Sequence, residues 1–350
     1  MQSRDFTNTA QGAPSAPKVY CLGQIWIEEM MHIKDFPEHG GFVAADQSIT
    51  AVSGSYPIAV AAQSMGIPAT IVSPIGTGPC AQAIEHRLNE SKITRLGPVH
   101  DHRDSGFRMI VNDDEQKTYF AKFGVENEAP VDLYDVITPQ LGDIVHILGP
   151  ALFRDTGLST LRFLKRPECQ VNARHFMLVV TPTSRVDLLS DDMLQALEEA
   201  QPLWSMNRQE GLALAEHLDL HLDNSKSMLV SGGFDELMEE LCTKLSERLR
   251  TSVVLRAGSR GVWISSNGSL ATHVPGFETK ATHTRSAGPC HTGALCAMLA
   301  QGKSLLESAQ IANAAASLAI YNNQYGVPTS PTLEQVQAFI AEQATQASSK

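Results

Sequence analysis

His283-Thr284-Arg285-Ser286-Ala287-Gly288-Pro289-Cys290-His291-Thr292-Gly293 runs directly into an apolar helical pattern carried by Ala294, Leu295, Ala297, Met298 and Leu299. Small residues at the entrance to a helix leave consecutive backbone N–H groups open, which makes the segment a ready anion site. Outward from it, short apolar runs rich in β-branched residues alternate with helical patterns. Residues 19–22, 69–73, 144–148, 177–180, 228–231 and 253–255 are the candidate buried strands, and 56–65, 81–89, 190–200, 234–250 and 292–301 the helices. This alternation predicts an α/β fold with a doubly wound, mostly parallel sheet flanked by helices, whose ligands sit at the carboxyl ends of the strands.

Two stretches break the rhythm. Residues 25–50 and 105–123 read as extended segments with alternating character, as in Phe107, Met109, Val111 and then Thr118 and Phe120. Together they predict a small antiparallel β lid beside the α/β core, a shape that covers a substrate and excludes water. Residues 1–18 lack periodicity and are expected to be a disordered tail, as are residues 344–350, which leaves one domain over 19–343.

The chain has 350 residues, 43% of them hydrophobic, enough for a sizeable core, and 27 Lys plus Arg against 38 Asp plus Glu give a net charge of −11. That balance removes the counterion-release drive for nucleic acid and for anionic membranes. No apolar run reaches the roughly 18 to 20 residues that a bilayer demands, so a cytoplasmic protein acting on a small molecule is expected. The six cysteines are scattered without a C-x-x-C pair, and the 12 histidines show no ligand spacing, which argues against a protein metal cage.

Several local motifs carry competing readings. Gly76-Thr77-Gly78-Pro79-Cys80-Ala81 formally matches a dinucleotide fingerprint, but Pro79 deletes an N–H where pyrophosphate needs donors, and a tight strand-to-helix turn serves as well. Gln301-Gly302-Lys303-Ser304 resembles the end of a P-loop, yet helix precedes it and Gly302 reads more simply as a helix C-cap. Cys290 lies near a helix start with His283 and His291 in reach as bases, the pattern of a cysteine nucleophile; the alternative is a packing thiol. Asn207-Arg208-Gln209-Glu210 reads as a helix N-cap with its capping-box partner.

Taken in chain order, these segments resemble the ribokinase or pfkB family of carbohydrate and nucleoside kinases across nearly all of residues 19–340. Gly23 to Glu28 resembles the family's first strand with its substrate-contacting acidic position, at Glu28, and Ser53 to Ala61 its Gly-Gly…Asn-x-Ala stretch. Ile75 to Gly78 matches the Gly-x-Asp turn, Thr181 to Arg185 the Asp-x-Asn-x-Arg strand end, and Asn207 to Glu210 the Asn-x-x-Glu motif. Leu255 to Gly261 resembles the nucleotide-side Thr-x-Gly-x-x-Gly, the 283–293 stretch the Asp-Thr-x-Gly-Ala-Gly-Asp-x-Phe-x-Gly signature, and Tyr325 to Pro328 the late glycine turn.

The resemblance implies a ribokinase-like fold and an ATP- and magnesium-dependent kinase acting on a sugar or nucleoside hydroxyl. It places an anion hole at Ser286, Ala287 and Gly288, nucleotide contacts at Asn207, Arg256, Gly258 and Gly261, substrate contacts at Glu28, Gly54 and Arg185, and magnesium, through water, at Glu210. It also implies a homodimer formed through the lid. In the family the last Asp of the signature is the general base, and here that position is Pro289, which has no ionisable group. His283 and His291 are the candidate substitutes. The expectation is therefore a weak kinase with a degenerate site or, alternatively, an inactive pseudokinase that binds a sugar, nucleotide or protein partner.

Overall fold

A computed structural model describes residues 16–113, 115–222, 233–281, 283–323, 327 and 329–348. The strand expected at 228–231, nearly all of the expected 1–18 tail and most of the 325–328 turn lie outside the described residues.

Nine strands form the main sheet: β1 (Val19–Leu22), β4 (Ala69–Val72), β5 (Thr94–Leu96), β8 (Ile144–Leu148), β9 (Met177–Thr181), β10 (Leu203–Asn207), β11 (Ser252–Arg256), β12 (Gly261–Ser266) and β13 (Thr272–Pro275). Their order is β13-β12-β11-β10-β9-β8-β1-β4-β5, parallel from β11 to β5, with β12 and β13 added antiparallel at one edge. The parallel strands are apolar on both faces because both are covered. Cys21, Ile71, Ile144, Val179 and Val254 enter one core cluster. Their neighbours Leu22, Val72, Val145, Leu178 and Val253 enter another.

The helices are α1 (Tyr56–Ser64), α2 (Pro79–Glu90), α3 (Arg154–Leu164), α4 (Asp191–Ala200), α5 (Arg208–His217), α6 (Gly233–Leu249), α7 (Ala287–Ala300), α8 (Leu305–Asn322) and α9 (Leu333–Ser348). Helix α7 lies against α1 so closely that a Cβ on Gly293 would stand 2.3 Å from the Ile58 carbonyl, and nearly all its side chains are buried. Helix α9 runs past residue 344, so the expected C-terminal tail is helical to Ser348; its Ala and Gln residues are good helix formers. Gly302, with φ +78°, follows the end of α7 as the expected C-cap glycine.

The lid is a second sheet, ordered β3-β2-β6-β7, from β2 (Ile25–His32), β3 (Gln47–Gly54), β6 (Phe107–Asn112) and β7 (Lys117–Lys122). Two antiparallel hairpins, β2/β3 and β6/β7, join through a parallel pairing of β2 with β6. Strand alternation puts Trp26, Glu28, Met30 and His32 on one face and Ile25, Ile27, Glu29 and Met31 on the other.

Candidate active site

Two depressions meet at the 283–288 loop. One, of about 550 Å³, lies at the carboxyl ends of β10 and β11 and is lined by Asn207, Arg256, Gly258, Gly261, Gly288 and Asn313, among others. The other, of about 320 Å³, lies between the lid and the loop, with Met30, His32, Ile110, Lys117, His283 and Arg285 in its wall. Thr284 borders both.

In the larger cavity, Asn207 ends β10 and caps α5. Its Oδ1 accepts the Glu210 N–H at 2.9 Å, and Glu210 Oε2 accepts the Asn207 N–H at 2.7 Å, the capping box the sequence predicts. Arg256 ends β11 in register with Asn207. From Nη1 it donates to Thr292 Oγ1 at 2.6 Å and to the Gly288 carbonyl at 3.3 Å, and its Nη2 lies 3.6 Å from Glu210 Oε2. The Arg256 and Glu210 side chains are only 12% and 15% exposed. Burial raises the Glu210 pKa although Arg256 and the Asn207 N–H oppose it, and burial lowers that of Arg256 although Glu210 opposes it.

The start of α7 faces this cavity. Gly288 has open space where a Cβ would stand, so its backbone can be approached closely. Ser286, the N-cap residue, sits at φ +82°, a left-handed conformation that favours glycine, and its buried Oγ has no partner among the described residues. Pro289 is the third helical residue, where no intrahelical N–H bond is lost. Opposite, Gly261 at φ +90° could not carry a Cβ, which would lie 2.2 Å from the Val274 carbonyl.

His291 is 3% exposed. Asn313 spends its amide hydrogens on the Val274 and Pro275 carbonyls, so its Oδ1 must accept from His291 Nε2, 3.2 Å away. The remaining Nδ1 is sealed from solvent, and burial, with the charge of Arg256, drives the pKa down to about 3. The expectation of His291 as a base is corrected on this geometry: it is a neutral, buried link between α7 and α8. His283 instead borders the lid-side depression. Cys290 is buried against the Ala315 carbonyl at 3.6 Å with its thiol pushed up to about 12, which makes it a packing residue and not a nucleophile.

Across the loop, Glu28 forms an ion pair with Arg285, both largely buried. Arg108, its neighbour on β6, lays its guanidinium 3.6 Å over the Trp26 ring. Gly54, at φ +76°, is explained by packing, since a Cβ there would strike the Gln24 carbonyl and the Trp26 ring. Arg185, expected as a substrate contact, is 64% exposed, binds Asp187 through two 3.0 Å hydrogen bonds and lies outside the lining of both cavities.

The Gly76 to Ala81 turn is occupied from within. The Cys80 and Ala81 N–H groups donate to the Asp104 carboxylate at 3.0 and 2.9 Å. Burial raises this carboxyl, but the Cys80, Ala81 and Ser105 N–H groups outweigh it and the pKa ends below its ordinary value. A protein carboxylate stands where pyrophosphate would sit, so the dinucleotide reading falls. Sequence reasoning missed Asp104, Arg285 and Asn313. Each acts through a partner distant in the chain, and only Arg285 lay inside a quoted motif.

No cluster of three or more His, Cys, Asp or Glu among the described residues could hold a metal ion. Glu210 already faces the Arg256 guanidinium. Among the described residues, the donors beside the cavity do not fit direct coordination of a divalent cation.

A doubly wound sheet with a four-stranded lid over the carboxyl ends of its strands, and a cavity at the start of α7, defines the ribokinase-like class. The chain belongs to the pfkB family of carbohydrate kinases, which it matches over residues 56–332. It is 25% identical over 323 residues to the uncharacterized sugar kinase YegV of Escherichia coli K12, covering 91% of this chain and 92% of that one. Ribokinase from Thermotoga maritima superposes with a TM-score of 0.71 at 20% identity, covering 93% of this chain and 99% of the other. Arabidopsis thaliana ribokinase, solved with ribose and ATP, gives 0.72 at 17% identity, also over 93% and 99%. A nucleoside kinase from Methanocaldococcus jannaschii gives 0.68 at 17%, over 93% and 98%.

Proposed function

We propose that this protein transfers the γ-phosphate of ATP to a hydroxyl of a sugar or nucleoside held under the lid. The observation that carries the reading is the junction at Thr284 of a nucleotide-sized cavity, open to the first turn of α7, with a lid-covered depression. Solved relatives carry ADP in one case and ribose with ATP in another, which supports nucleotide and sugar as the two ligands.

In this reading Ser286, Ala287 and Gly288 present backbone to the transferring phosphoryl group, while Asn207, Arg256, Gly258 and Gly261 line the nucleotide side. Glu28 and Arg285 offer an acceptor and donors to the hydroxyls of the acceptor molecule. His283, beside Thr284, is positioned on the acceptor side as the base that Pro289 cannot be. Phosphoryl transfer depends mainly on positioning and electrostatics, and general-base help adds roughly 10²- to 10⁴-fold. A slow enzyme follows. Two copies would pair through the lid face bearing Met31, Met109 and Phe120, which lies opposite Glu28.

Pro289 itself favours a second reading, a binding protein that retains the pocket without turnover. ATP-consumption assays over a panel of sugars and nucleosides, with parallel thermal-shift titrations, separate the two. Turnover with one acceptor, reduced about 10²-fold or more in kcat by His283→Ala with little change in KM, is expected. Saturable binding without turnover supports the sensor reading, failure of every nucleotide to bind overturns the kinase reading, and failure of every sugar, nucleoside and nucleotide to bind overturns both.

A further inference from the structure

We infer that Arg256, in place of a divalent cation, supplies the positive charge that holds the nucleotide's phosphates, so that ATP and ADP bind without magnesium. This rests on the nucleotide reading of the cavity and goes beyond it by removing the metal from the binding step.

The guanidinium is fixed before any ligand arrives. Thr292 Oγ1 at 2.6 Å and the Gly288 carbonyl at 3.3 Å both engage Nη1, so the group is anchored to the first turns of α7. Nη2 lies 3.6 Å from Glu210, an ion-pair distance too long for a hydrogen bond. Donors on Nε and Nη2 therefore remain for phosphate oxygens, in the planar fork that suits them. The site of the charge is also apt, because Arg256 holds the carbonyl of the same Gly288 whose backbone opens onto the cavity.

The fixed guanidinium suits phosphate oxygens better than a hydrated divalent ion. Among the described residues Glu210 is the carboxylate paired with Arg256, and its Oε2 accepts the Asn207 N–H and faces the guanidinium. An adjoining groove shares Asn207, Arg256, Gly258 and Ser259 with the cavity and adds Arg260, with no carboxylate among the described residues that line it. Arg260 itself pairs with Asp235 at 2.7 Å. A polyphosphate entering this corner meets the fixed Arg256 guanidinium, which would repel a dication at the same place.

Calorimetric titration of ADP into the full-length protein, once with magnesium and once with excess EDTA, reads this directly. The expected Kd differs by no more than about threefold between the two conditions. Arg256→Gln should weaken binding in EDTA at least about tenfold, and Arg256→Lys, which keeps the charge, by clearly less. Wild-type binding that is tenfold or more weaker in EDTA than in magnesium overturns the inference while leaving the nucleotide reading intact, as does Arg256→Gln binding like wild type. No binding in either condition overturns the nucleotide reading and this inference with it. Should Arg256→Gln lose its thermal transition, the wild-type pair of titrations and Arg256→Lys decide the matter.

Discussion

Gly78-Pro79-Cys80 and Gly288-Pro289-Cys290 are the same tripeptide at the start of two helices, and the fold uses them for opposite purposes. At α2 the first-turn amides are consumed by Asp104, and Gly78 is glycine because that carboxylate occupies the space of its Cβ, 2.4 Å from Asp104 Cγ. At α7 no side chain among the described residues plugs the turn, Gly288 has nothing within 4 Å of a Cβ position, and the opening is a cavity. An anion site at a helix start is thus decided by what the rest of the chain brings to it. The local residues only permit it.

Substitutions that exchange the properties of the two turns break or sharpen this contrast. The largest effect is expected at Gly288→Leu: the side chain grows into the empty cavity, so ADP affinity measured by calorimetry should fall at least about tenfold while the melting temperature stays close to wild type. If Gly288→Leu binds ADP normally, the α7 turn is not the phosphate site. Gly78→Ala is the mirror image. Its methyl overlaps the Asp104 carboxylate, so a loss of about 1–3 kcal/mol in urea unfolding is expected with unchanged nucleotide affinity.

Asp104→Asn should cost about 1 kcal/mol at neutral pH by weakening the α2 cap. The folded pKa of Asp104 lies below its ordinary value, so its contribution is complete above the unfolded value of about 4 and is lost as pH falls through the folded pKa. Urea midpoints between pH 6 and pH 3 should therefore decline less steeply in Asp104→Asn than in wild type. Parallel curves would mean that Asp104 is not the α2 anchor. The smallest effect is expected at Ser286→Gly. Relief of the left-handed serine should raise stability by up to about 1 kcal/mol, read as an increase of a degree or two in the melting temperature.

Much of the fold was legible because buried parallel strands and amphipathic helices write their pattern locally. The 19–22 and 144–148 runs coincide with β1 and β8, and the helices at 56–65, 190–200 and 234–250 agree with α1, α4 and α6 to within a residue or so at each end. Strand β10 was not among the candidate strands, and the antiparallel edge formed by β12 and β13 was not anticipated, since short mixed runs such as Thr272–Pro275 carry little period. In the site, Asn207 with Glu210 was readable because a capping box is closed within four residues. Arg256 was flagged by position, but its ties to Gly288 and Thr292 span more than 30 residues.

The sequence by itself determined the layering of the sheet, the presence of a β lid, the capping box and the absence of an ionisable group at Pro289, all matters of local pattern or residue identity. Only the tertiary structure decided that Asp104 closes one Gly-Pro-Cys turn while the other stays open, that Glu28 meets Arg285 across the lid, and that burial holds His291 neutral against Asn313. The physical reason is range. Periodicity and capping act over a few residues, whereas desolvation, ion pairing and steric closure depend on groups that only folding brings together.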